Sequence, residues 1–199
     1  MKKYQLNRGV IKGILDLCDD EGVFKKDFPG SLQIGFTELY GNNIFSIHSD
    51  IVTHTCFTLA EFDICYAENY FIDESEEKMF KALKELHDFD IYEMANDYGV
   101  DVEVLGIMFS FLHEIFHMKQ YLDMIHKDES LNELTKKTKH LYEEVDRLER
   151  NGQDGSLLYR SIPQERFADL GAIIFLVDHI GELIDIVRYN VEVVGLEEV

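Results

Sequence analysis

The spacing of hydrophobic positions divides the chain into a short helix, a β-rich stretch and a long helical remainder. Over residues 8–19, Val10, Ile11, Ile14 and Leu15 recur on one side at helical spacing, which predicts a short amphipathic helix. Gly22 and the Pro29–Gly30 pair then interrupt the pattern. From 31 to 71 the period shortens: the stretch is rich in β-branched and aromatic residues, and LQIGFTE alternates. GNN at 41–43 is a turn signal between two such runs, so a hairpin is predicted there, with FDICYA as a further strand. The result is a sheet of three or four strands.

Helical spacing returns at 73–89, DESEEKMFKALKELHDF, where acids open the segment and Met79, Phe80, Leu83 and Leu86 follow. IYEMANDYGV leads through a C-cap at Gly99 to a helix over about 101–126. Residues 128–150 form a charged helix with one apolar stripe, Leu131, Leu134, Leu141, Val145 and Leu148. It reads as a solvated surface helix with i,i+4 ion pairs. NGQDGS at 151–156 is a loop, and Ser161-Ile162-Pro163-Gln164 reads as a capping box with proline in the first turn of a helix running to about 180. The tail, LIDIVRYNVEVVGLEEV, fits either a strand or a helix end. Strands first and helices after predict an α+β fold in a single domain over 1–199, with a small antiparallel or mixed sheet in the N-terminal half packed on a helical C-terminal half.

Composition narrows the function classes. A length of 199 residues with 46% hydrophobic residues is enough for one domain with a real core. The formal net charge of −20 repels phosphate backbones and argues against nucleic-acid binding. Cys18, Cys56 and Cys65 are odd in number and form no CxxC pair, as expected of free thiols in a reducing cytosol. Lys12 and Asp16 break the N-terminal apolar pattern, which argues against a signal peptide, and no apolar run reaches membrane-spanning length. The expectation is a soluble, cytoplasmic protein.

The segment FLHEIFHMKQ, 111–120, changes the picture. From Val104 to Met118 the only formally charged side chain is Glu114, and a buried carboxylate needs a partner. His113 and His117 are four apart, so they share one helix face and can converge on one ion, with zinc–nitrogen distances of roughly 2.0–2.1 Å. Glu114 then points beside the ion, within reach of a zinc-bound water that it can deprotonate. The bland alternative is a pair of core histidines satisfied by hydrogen bonds. A catalytic zinc usually has three protein ligands. Downstream, PQERFADLGA offers Glu165 with Asp169 one turn later: the Glu can ligate while the Asp holds a ligating imidazole by its other nitrogen. Glu93–Asp97 matches the same spacing upstream, but after His117 no other Glu has an Asp four positions on.

HEIFH followed by ERFAD resembles the gluzincin branch of the zincin metallopeptidases, with its thermolysin-like set of two His and one Glu, and E-x-x-A-D resembles small bacterial gluzincins of the ImmA/IrrE type. The resemblance implies His113, His117 and Glu165 as ligands of Zn2+, Glu114 as general base, Asp169 as the residue supporting a ligand, a small zincin-like sheet beside the motif helix, and a peptide or protein substrate. Peptide deformylase also resembles this chain, in pairing an upstream Cys with H-E-x-x-H, but its Cys-centred motif is not evident in DICYAEN.

Acyl transfer also needs an oxyanion stabiliser, for which Tyr121, His140, Tyr159 and Arg160 are open choices. His48 and His54 read as strand or loop histidines, and Phe109, Phe111 and Phe116 as core. The main expectation is a zinc-dependent hydrolase of peptidase type. The alternative is a zinc-stabilised interaction module without turnover, whose acidity and long charged helix at 128–150 would form its partner surface.

Overall fold

The computed structural model describes residues 3–24, 30–42, 45–54, 57–126 and 131–194. The chain opens with a strand, β1 (Lys3–Leu6), and a helix, α1 (Arg8–Asp20). Asn7 caps α1 by accepting from the Gly9 amide at 2.7 Å, and Val10, Ile11, Ile14, Leu15 and Cys18 form its buried face. Three long strands follow, β2 (Gly30–Asn42), β3 (Phe45–His54) and β4 (Phe57–Tyr70).

The strands around GNN do not form the predicted hairpin. β2 runs parallel to β4, from Gly30 opposite Thr58, and β3 runs antiparallel to it, from Phe45 opposite Tyr66. β4 lies between them, so both of its edges find hydrogen-bonding partners. Asn43 itself lies outside the described residues. The sheet is also larger than three or four strands, because both ends of the described chain join it. β1 pairs antiparallel with the end of β4 at Tyr4–Tyr70, and with β5 (Val191–Val194) on its other side. The tail is thus helix and then strand. Four-residue strands such as β1 and β5 are too short for a period-two pattern to identify.

The helices are α2 (Glu74–His87), α3 (Ile91–Tyr98), α4 (Val102–His126), α5 (Leu131–Arg150), α6 (Ser156–Ser161), α7 (Pro163–Asp178) and α8 (Ile180–Asn190). This is an α+β fold, with a mixed sheet and a helical C-terminal half. Asp73 and Asp90 cap α2 and α3, and Gly99 ends α3 with φ 60°, a left-handed conformation that glycine adopts without steric cost. The capping box at Ser161 does not form. Ser161 instead closes α6, its hydroxyl donating to the Leu158 carbonyl at 2.7 Å, and extended Ile162 precedes Pro163 at the start of α7. The residue before proline is pushed away from helical geometry, which separates the two helices.

α4 is buried on nearly every side and packs on β3, β4, α3, α7 and α8. Its apolar side chains on all faces are what such a central position requires. Tyr66 of β4 meets Phe111 with ring centroids 6.4 Å apart. One hydrophobic cluster runs from Tyr4 through α4 to Val187. Among the described residues, no helix is long and apolar enough to cross a membrane.

Candidate metal centre

The centre lies where α4 crosses α7. Ala168, Gly171 and Ala172 present small side chains at that crossing, and a Cβ on Gly171 would stand 2.2 Å from Cδ1 of Phe116. The helices therefore approach closely. The i,i+4 pair His113/His117 on α4 meets the i,i+4 pair Glu165/Asp169 in the first turns of α7. All four are buried, Asp169 with no exposed surface.

Three ligand atoms converge. His113 Nε2 and His117 Nε2 are 3.1 Å apart, and Glu165 Oε2 is 3.3 and 3.4 Å from them. A tetrahedral ion bound at roughly 2.0–2.1 Å spaces its ligands by about 3.3–3.4 Å, so the triangle already has nearly the dimensions of such a site. The chemistry of the donors fits as well. Asp169 Oδ1 is 2.9 Å from His113 Nδ1 and accepts its proton, which leaves Nε2 as a lone pair aimed at the other two atoms. Lone pairs converging in a buried place need a cation between them, and these three residues could hold a metal ion.

The buried groups also act on one another. Burial and the Arg160 guanidinium press His113 toward neutrality, but the hydrogen bonds and charges of Asp169 and Glu165 outweigh them and raise its pKa. Burial acts to raise Glu165, and the hydrogen bonds from His113 and His117 overcome it, holding the carboxyl well below the usual range.

Residues around the triad orient it. Arg160 Nη1 donates to Asp169 Oδ1 at 2.6 Å, and its guanidinium lies against the rings of Phe109 and Tyr159. Tyr142 of α5 donates to Glu165 Oε1 at 2.7 Å. His87, at the end of α2, places Nε2 3.7 Å from the second Asp169 oxygen, with both groups buried. Sequence reasoning missed His87 and Tyr142. His87 belongs to no motif. Tyr142 had a signal: Thr138, Tyr142 and Val145 are spaced as one helix face, and Thr138 and Val145 are buried. The outer face of α5 is solvated as expected, with Lys139–Glu143 and Arg150–Asp146 pairs.

Glu114 points to the side of the triad, into a cleft of about 300 Å³ lined also by Phe109, Ser110, His113, Tyr159 and Arg160. Burial pushes its carboxyl above the usual value, against the pull of both imidazoles. Of the four proposed oxyanion stabilisers, Tyr159 and Arg160 line this cleft. Tyr121 stacks on His117, with centroids 6.5 Å apart, and His140 is exposed on α5. Cys65 is buried in β4, outside the group of converging donors, and burial raises its thiol pKa. Cys56 lies outside the described residues. His48 and His54 fall in β3, Glu93 and Asp97 are exposed on α3, and Phe109, Phe111 and Phe116 are core. No family model, no curated protein and no solved structure matches this chain, so the donor set and its surroundings carry the chemical argument.

Proposed function

We propose that the chain is a zinc-dependent hydrolase, a peptidase of gluzincin type. The observation that carries this reading is the convergence of His113, His117 and Glu165 at near-tetrahedral spacing, with Glu114 beside them in an open cleft. Two imidazoles and one carboxylate are a donor set used by catalytic zinc. A bound zinc ion supplies Lewis acidity and lowers the pKa of water toward neutrality.

The chain's own residues supply the rest. Glu114 stands one residue beyond His113, so helical rotation carries it off the ligand face and toward the cleft. There it takes the proton of the attacking water and returns it to the leaving amine. Burial raises its pKa above the usual carboxyl value, which makes it a better proton acceptor. Arg160 lines the same cleft and offers guanidinium N–H groups to the oxygen on which charge develops, beside Tyr159, whose hydroxyl also engages Glu165. Asp169 fixes the tautomer and ring orientation of His113.

Two measurements test the reading together. Purified protein should carry about one zinc per chain. Glu114→Gln should keep that zinc and lower peptide hydrolysis by about 10²–10⁴-fold, the usual contribution of a general base. Hydrolysis unaffected by Glu114→Gln would remove the catalytic role. A metal-retaining chain with no turnover in either form would support the interaction-module reading.

A further inference from the structure

The two carboxylate oxygens of Glu165 have different partners. Oε2 faces both imidazoles, at 3.3 and 3.4 Å. Oε1 is turned away from them and accepts the Tyr142 hydroxyl at 2.7 Å. Tyr142 comes from α5, more than twenty residues before Glu165 in the chain, and its ring stands edge-on to Tyr159 with centroids 6.1 Å apart. A second tie fastens α5 to the same turn of α7: the side chain of Gln164, next to Glu165, donates to the Thr138 hydroxyl at 2.6 Å. The tyrosine is therefore held in place from both sides.

We propose that Tyr142 is a positioning residue that restricts Glu165 to ligation through one oxygen, leaving a coordination position open toward the cleft beside Glu114. This inference rests on the zinc reading above. A carboxylate can ligate through one oxygen or two, and the choice decides how many positions are left for water or substrate. For both oxygens of Glu165 to ligate, the carboxylate must swing so that Oε1 moves toward the imidazole nitrogens and away from the Tyr142 hydroxyl it now faces. That swing stretches the Tyr142 hydrogen bond, so the bond opposes it. Tyr142 does not itself serve as an oxyanion donor, because its hydroxyl is committed to Glu165 and its ring does not line the cleft.

Tyr142→Phe in the full chain removes one oxygen atom and keeps the ring. Zinc affinity is read by competition titration, and coordination number by the visible absorption of the cobalt-substituted protein. The expected result is zinc binding weakened by about 10–100-fold, the usual effect of losing a residue that orients a ligand. The cobalt bands should also weaken and shift as the second oxygen enters. Thr138→Val cuts the other tie without touching Glu165 and should leave the cobalt spectrum as in the parent. Unchanged affinity and spectrum in Tyr142→Phe would overturn the proposal while leaving the zinc reading standing. So would weakened affinity with an unchanged spectrum, which marks a merely structural hydroxyl. The same spectral change in Thr138→Val would assign the effect to α5 docking and overturn it too. A parent chain that takes up no zinc would fail the reading of the site, and this inference with it.

Discussion

Replacing Gly171 by alanine tests whether the approach of α4 and α7 sets the metal centre. The added Cβ would stand 2.2 Å from Cδ1 and 2.5 Å from Cγ of Phe116. Carbon atoms in contact stand about 3.5–4.0 Å apart, so at least about 1.3 Å must be found. Phe116 cannot give all of it: the residue is buried, Cγ is one bond from its own Cβ, and the ring packs against Phe175 with centroids 6.3 Å apart. Alanine favours a helix over glycine by about 1 kcal/mol, and overpacking a core costs about 1–3 kcal/mol. A collision near the root of a ring falls at the upper end, so the net loss is about 2 kcal/mol, or roughly 4–8 °C in melting temperature for a chain of this size. The metal centre should suffer more than the fold. Ligand distances tolerate about 0.2 Å, and a shift of α7 by around 1 Å takes Glu165 out of reach of an ion held by the imidazoles. Melting curves with and without zinc, and a zinc competition titration, read both effects; more than tenfold weaker zinc binding is expected. A Phe116→Leu change in the same chain should recover part of each. An alanine variant as stable as the parent, with the parent's zinc affinity, would refute the close-packing argument.

Two other expectations follow from the surroundings of the triad. Asp169→Asn keeps the shape but removes the charge that Arg160 and His113 share; zinc affinity should fall by about 10–100-fold, and urea unfolding should show a loss of about 3–5 kcal/mol, as for a buried pair with one partner neutralised. The zinc-induced rise in melting temperature should be larger at pH 8 than at pH 6. His113 has a raised pKa in the metal-free fold, so its pairing stabilises that fold below the ordinary histidine value and is lost as pH rises through the raised one. Zinc needs the neutral imidazole and gains affinity over the same window. An equal rise at both values would count against the assigned pairing.

The parts of the site that follow from helical periodicity were legible in the sequence. HEIFH fixes two imidazoles on one face whatever the rest of the fold does, and ERFAD does the same for Glu165 and Asp169. The meeting of these two faces was expected because a catalytic zinc usually takes three protein ligands, and from the resemblance to the gluzincins. Residues brought in by tertiary packing were not legible. His87 arrives from the end of α2, and Tyr142 from a helix whose many charges read as surface, although Thr138 and Val145 on the same face are buried. The sheet failed for a related reason. Turn signals specify neighbours in sequence, whereas β4 pairs with β2, β3 and the distant β1, and β1 in turn with β5 at the other end of the described chain. Capping chemistry at Ser161 lost to the pre-proline restriction at Ile162, which turned one predicted helix start into the end of α6 and the start of α7.

Charge balance bears on the kind of ion these residues could hold. Glu114, Glu165 and Asp169 bring three negative charges to the crossing, and Arg160 brings one positive charge, leaving two in excess while the imidazoles are neutral. Such an excess in a largely dry place is costly. One divalent ion between the converging donor atoms would cancel it. A monovalent ion leaves one charge uncancelled. Arg160 is paired with Asp169 at 2.6 Å and also stands beside His113, and its one positive charge is the one counted in that balance. Arg160→Met should therefore raise the negative excess to three. Such a chain should depend more steeply on bound zinc for its stability than the parent does, which zinc-dependent melting measures directly; a shallower dependence would contradict the charge argument.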